Sequence, residues 1–139
     1  NSYIDFTYRS ETMEAVTNAI NWFEIPVKDF DRSHAFYSRI FDYEMPIWEM
    51  GPTKMGILPS DMENGGVGGG ITNEEGTKPN TDGVRIYLNG GKDLNVVLNR
   101  VDDAGGSLVV PKTKVTDEIG FIAIFQDSEG NHIGLHSPE

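Results

Sequence analysis

Residues 19–27 alternate in character, with Trp22, Glu24 and Pro26 on one side and Phe23, Ile25 and Val27 on the other. That period of two predicts a strand with two different faces. Asp29 is placed to cap a following helix, and Asp31 puts negative charge in its first turn. Phe36, Tyr37, Ile40 and Phe41 form one apolar stripe at helical spacing, which Asp42-Tyr43 ends. Residues 45–50, 55–58 and 67–72 read as three short strands, separated by Gly51-Pro52 and by the turn-rich segment 59–66. After a polar linker over 73–82 the order recurs. Residues 84–88 read as a strand and Asp93 as a helix cap. Leu94, Val97, Leu98 and Val101 supply the apolar stripe of that helix, and Gly105-Gly106 stops it. Residues 107–110, 120–126 and 132–136 are the closing strands, the last two joined by a turn in which Gly130 is free to take positive φ.

The pattern predicts an α+β chain built twice, one βαβββ unit over 19–72 and a second over 83–137, within a single domain over 19–139. Two half-sheets of this kind face to face enclose a cavity, and the residues lining it are where function is sought. Residues 1–18 form an extension in which Tyr3, Phe6 and Tyr8 suggest an edge strand and residues 11–16 a short helix. Three rings on a free tail would be sticky, which favours some ordering, either as an ordered tail or as an arm packed across a partner subunit.

Composition narrows the partners. The chain of 139 residues carries 11 basic and 22 acidic side chains, a net charge of −11. Such a surface repels phosphate backbones and anionic lipid, so neither nucleic acid nor a membrane surface is expected as a partner. There is no cysteine, which removes disulfides, thiolate metal sites and cysteine nucleophiles. No apolar run reaches the roughly 20 residues that span a bilayer. The first residues lack a signal-peptide pattern, so a cytoplasmic protein is expected.

Several segments together carry a family resemblance. They are Val27-Lys28-Asp29-Phe30-Asp31-Arg32-Ser33, Phe36-Tyr37, Gly65 to Gly70, Ala104-Gly105-Gly106, and Asp127-Ser128-Glu129-Gly130-Asn131-His132-Ile133-Gly134-Leu135. Through them the chain resembles the vicinal oxygen chelate superfamily, which holds glyoxalase I, bleomycin-resistance proteins and extradiol dioxygenases. The resemblance is greatest to its glyoxalase-related branch, to which no activity is assigned. It implies a paired glyoxalase-like fold with a cavity-bearing curved sheet, a homodimer, and a metal held by one side chain from each of four strands. Carried over by position, those side chains are Trp22, Gly68 or Gly70, a residue near Gly83, and Gly134. Indole and glycine are not metal ligands, so no metal cofactor is expected at these positions. Asp42 stands where many relatives have glycine, and aspartate tolerates the left-handed geometry needed there.

Three constellations remain. A displaced metal site would use Glu24, His132 and His136, with Gly134 leaving room between the two histidines. The plainer alternative is one histidine at the cavity mouth and one hydrogen-bonded inside. Glu24 and Arg85 hold similar places in the two opening strands. They form either an internal ion pair or a catalytic pair, Glu24 as base and Arg85 as a clamp for a substrate carboxylate. Finally Trp22, Trp48, Met50, Met55, Tyr87 and Phe121 supply apolar walls, with Gly68, Gly70, Gly134 and His136 beside them, for a small organic ligand. Ordinary core packing explains at least half of those walls equally well. The glycine run lacks the spacing of a phosphate loop. His34 is expected on the exposed face of the first helix, and Ser33 and Ser38 have no neighbouring base. The readings are thus a metal-free binding protein, a metal-dependent lyase, isomerase or dioxygenase with a displaced site, and a metal-free enzyme.

Overall fold

A computed structural model of the chain describes residues 15–139. The edge strand expected around Tyr3 to Tyr8 and residues 11–14 of the helix expected over 11–16 lie outside the described residues, while residues 15 and 16 form no helix. The first unit runs β1 (Trp22–Pro26), α1 (Phe30–Phe41), β2 (Ile47–Met50), β3 (Thr53–Ile57) and β4 (Gly68–Thr72). The second runs β5 (Tyr87–Asn89), α2 (Asn95–Leu98), α3 (Val101–Ala104), β6 (Ser107–Thr116), β7 (Gly120–Gln126) and β8 (His132–Ser137). Each forms a mixed four-stranded sheet, in the orders β1-β4-β3-β2 and β5-β8-β7-β6. The fold is therefore the expected α+β pairing of βαβββ units, in two sheets, neither of which closes into a barrel. No helix among the described residues is long and apolar enough to cross a membrane.

Local signals act where they were read. The Asp29 side chain accepts the Arg32 N–H at 3.1 Å and caps α1, and Asp42 ends it at φ 50°. The second helix is split into two short turns. Its stretch Asn95-Val96-Val97 is rich in residues of low helix propensity, and Asp93 sits one residue before the cap, accepting the Asn95 N–H at 2.9 Å. β6 continues well past residue 110 because Pro111 needs no ladder hydrogen bond on an edge strand. The register shifts between Val110 and Thr113 absorb the ring. β5 is shorter than expected, and Val84 is exposed outside it.

One core joins the halves. Phe36 and Tyr37 meet edge to face at 4.9 Å, and Phe36 reaches Phe125 of β7 at 6.0 Å. Helix α1 thus serves both sheets, burying Ile40 against a cluster that includes Ile71, Val101 and Leu135. Each such side chain contributes about 1.5–3 kcal/mol by leaving water.

The turn between β7 and β8 fastens the halves at a polar joint. The buried Glu129 carboxylate accepts the N–H groups of Lys28 and Asp29, at 3.1 and 2.7 Å, and Arg32 Nε at 2.7 Å. Beside it Asp127, also buried, accepts the Tyr37 hydroxyl at 2.7 Å and the Asn131 amide at 3.0 Å. Its other oxygen accepts the N–H groups of Glu129 and Asn131, both at 2.9 Å.

Candidate functional site

Strand register decides which side chains share a face. Trp22 pairs with Gly68 and Glu24 with Gly70, while Ile57 pairs with Gly70, Met55 with Thr72 and Trp48 with Met55. Trp22, Glu24, Gly68, Gly70, Met55 and Trp48 therefore lie on one face of the first sheet. The Trp22 and Trp48 rings lie parallel there, 8° apart in plane with centroids 6.1 Å apart. Trp22 Nε1 donates to Glu24 Oε2 at 3.1 Å, which orients the carboxylate.

In the second sheet Tyr87, Gly134, His136 and His132 share a face. Phe121 does not join them. It pairs with Ser137, points the opposite way and packs on the core beneath Lys112, whose Nζ lies 4.5 Å from the ring centre. The glycines do not leave open space either. A Cβ at Gly134 would meet the Tyr87 ring, one at Gly68 the Met62 side chain, and one at Gly70 the carbonyl of Gly56.

Equivalent hydrogen bonds close the two parallel strand pairs, Val27 N–H to Thr72 at 2.9 Å and Gly90 N–H to His136 at 2.7 Å. Matched on these bonds, Gly70 corresponds to Gly134, Glu24 to Tyr87 and Trp22 to Arg85. Glu24 and Arg85 are therefore not counterparts, because Arg85 precedes β5 by two residues. They still line one cavity, of about 310 Å³, at the seam between the halves, together with His132, Asn80 and Asn131. The internal ion pair is not formed, since neither Glu24 nor Arg85 takes part in a salt bridge among the described residues. A second cavity, of about 530 Å³, lies along the same seam and is lined by Phe41, Leu58, Val67, Leu88 and Tyr87. Ile20, Phe23, Arg85 and Ile86 line both.

The displaced metal triad is not assembled. Glu24 and His132 line the smaller cavity, but His136 lies outside it and donates Nε2–H to the Ile119 carbonyl at 2.6 Å. His132 donates to Gln126 Oε1 at 3.2 Å. Among the described residues no three His, Asp or Glu side chains converge as a metal site. Matching the halves also moves the third family position from near Gly83 to Arg85. Trp22, Gly70, Arg85 and Gly134 then offer no donor, and a guanidinium opposes a cation, so these residues do not fit the metal that the resemblance implies. His34 is half-buried rather than exposed, its Nε2–H donating to the Met45 carbonyl at 2.9 Å.

Of the polar walls of the smaller cavity, the sequence points to Glu24, Arg85 and His132 but not to Asn80 and Asn131. Asn131 stands in the sequence as a turn residue and part of a family segment, with nothing to mark it as a wall. Its amide donates to the Pro26 carbonyl at 2.9 Å and its Oδ1 accepts the Asn80 N–H at 3.1 Å, so it ties the linker to β1. Two neighbouring groups are shifted. Burial, the charge of Asp127 and the hydrogen bond to it hold the Tyr37 hydroxyl well above the usual tyrosine range. Burial alone would raise Glu129, but hydrogen bonds from Arg32, the Asp29 N–H and Ser128 outweigh it and hold the carboxyl below its usual range.

Residues 19–135 match the model of the Glyoxalase/Bleomycin resistance protein/Dioxygenase superfamily, and the chain belongs to that family. Among curated proteins there is no match. Solved structures share the fold. A glyoxalase/bleomycin resistance protein from Albidiferax ferrireducens T118 is 14% identical, with a TM-score of 0.64, over 86% of this chain and 98% of that one. TnmS3, an antibiotic binding protein from Streptomyces sp. CB03234, is 21% identical at a TM-score of 0.59, over 91% of this chain and 100% of that one. Glyoxalase I from Zea mays is 21% identical at a TM-score of 0.59, over 85% of this chain and 44% of its own.

Proposed function

We propose that this protein binds a small organic molecule at the seam between its halves, without the metal usual in its family. The observation that carries the reading is chemical. The four matched family positions hold indole, guanidinium and two glycines, while two adjoining cavities combine apolar walls with Glu24, Arg85 and His132. The relative described as an antibiotic binding protein has the same fold and supports binding as a role. The test is melting of untagged protein in chelator, in manganese, iron, nickel and zinc, and in a library of organic compounds. Chelator and metals are expected to leave the melting temperature unchanged. A ligand at a hundred times its Kd should stabilise the protein by about 2.7 kcal/mol. Stoichiometric metal, with a melting point that drops in chelator, would overturn the reading.

A second reading, catalysis with Glu24 as base and Arg85 as carboxylate clamp, is favoured by their sharing one cavity. Loss of a turnover on Glu24→Gln with ligand binding retained would establish it.

We infer a homodimer as well, with the seam cavities lined within each chain. Trp48 and Met50 of β2 and Tyr87 of β5 are 46%, 53% and 48% exposed, apolar surface that a second copy would cover. Light scattering should give twice the 15.4 kDa chain mass, and Trp48→Asp should halve it.

A further inference from the structure

We propose that Arg85 joins the two seam cavities into one site for an amphipathic organic acid, with the carboxylate on the guanidinium and the apolar chain in the larger cavity. The inference rests on the seam-binding reading and adds the ligand's chemical class. Three observations carry it. Arg85 lines both cavities, so a group bound to it faces each of them. In a chain with twice as many acidic as basic residues, it pairs with no carboxylate among the described residues, which leaves its fork of donors for an incoming anion. The two cavities also differ in size, about 530 against about 310 Å³. The larger has room for a chain between Phe41, Leu58, Val67 and Leu88, with Asp61 on its wall, and the smaller sets Glu24 and His132 beside Ile25 and Ile133. A molecule whose alkyl or aryl chain runs from the carboxylate into the larger cavity matches that difference in size. Glu24 disfavours a second anion in the smaller cavity, so the class is monocarboxylic.

The test compares decanoate, decan-1-ol and decylamine by titration calorimetry against the whole protein and against Arg85→Gln and Val67→Trp. Decanoate should bind once per chain, about tenfold or more tighter than the alcohol or the amine, the margin of one charge-assisted hydrogen-bonded pair. Arg85→Gln should remove that margin and leave the alcohol unchanged. Val67→Trp should weaken acid and alcohol together by filling the larger cavity. Equal affinity for acid and alcohol, or a margin that survives Arg85→Gln, overturns the proposal. If other library compounds bind at the seam but decanoate does not, the ligand class is wrong while the binding reading stands. If nothing binds, both fall.

Discussion

Replacing Asp127 by alanine is expected to lower stability by about 3–4 kcal/mol, read as a shift of the urea midpoint at neutral pH. The carboxylate is buried, and each of its oxygens accepts two hydrogen bonds. Alanine strands the Tyr37 hydroxyl and two turn N–H groups out of water, and each such group costs about 1–3 kcal/mol. Part of that loss is returned, because a buried charge is also removed. Asp127→Asn keeps one acceptor oxygen for the two turn N–H groups but turns an amide donor toward Asn131. It should fall between wild type and alanine. A loss below about 1 kcal/mol for the alanine variant would mean that the turn rearranges to satisfy these groups. The cavity should feel the same change. Asn131 holds Pro26 and Asn80 in place and is itself held by Asp127, so ligand affinity should fall with stability. Tyr37 sets the alkaline limit. Its folded value lies above the ordinary 10.0, so its contribution is whole below that pH and is lost as pH rises through the folded value.

What could be read from the chain was what depends on near neighbours. Asp29 caps α1 because its partner is Arg32, three residues on, and Asp42 takes the left-handed turn on its own geometry. The apolar stripe of Phe36, Tyr37 and Ile40 follows from helical spacing alone. β6 was cut short because Pro111 looks like a terminator unless its strand is known to be an edge, and edge position is a property of the whole sheet.

The site was less legible for the same reason. Glu24 and Arg85 do not hold similar places, because Glu24 is the third residue of β1 whereas Arg85 precedes β5 by two residues. Only the hydrogen bonds from Val27 and Gly90 show which residues correspond. Phe121 was placed in the cavity by its aromatic character, although alternation from Ser137 sends it to the core. Gly134 read as vacant space because nothing in the sequence says that the ring of Tyr87 lies over it.

Glu129→Gln is expected to cost about 2–3 kcal/mol at neutral pH, with a gap that closes in acid. Glu129 is the clearest case of a residue whose importance lies in distant partners, since it reaches the Lys28 N–H across 101 positions. Its side chain is fully buried, while the Arg32 side chain is 52% exposed. Solvent therefore screens the arginine, and the larger share of the effect belongs to the two N–H groups at the start of α1. Glutamine can still accept from them, but its amide turns a donor toward Arg32. The sign of the pH dependence follows from linkage. The folded carboxyl titrates below its ordinary 4.5, so on acidification the unfolded chain takes the proton first. The carboxylate's contribution is complete above that value and disappears as pH falls through the folded value. Glutamine does not titrate, so urea midpoints of wild type and variant should converge well below pH 4.5. A gap that is equally wide in acid would locate the effect in packing and not in charge.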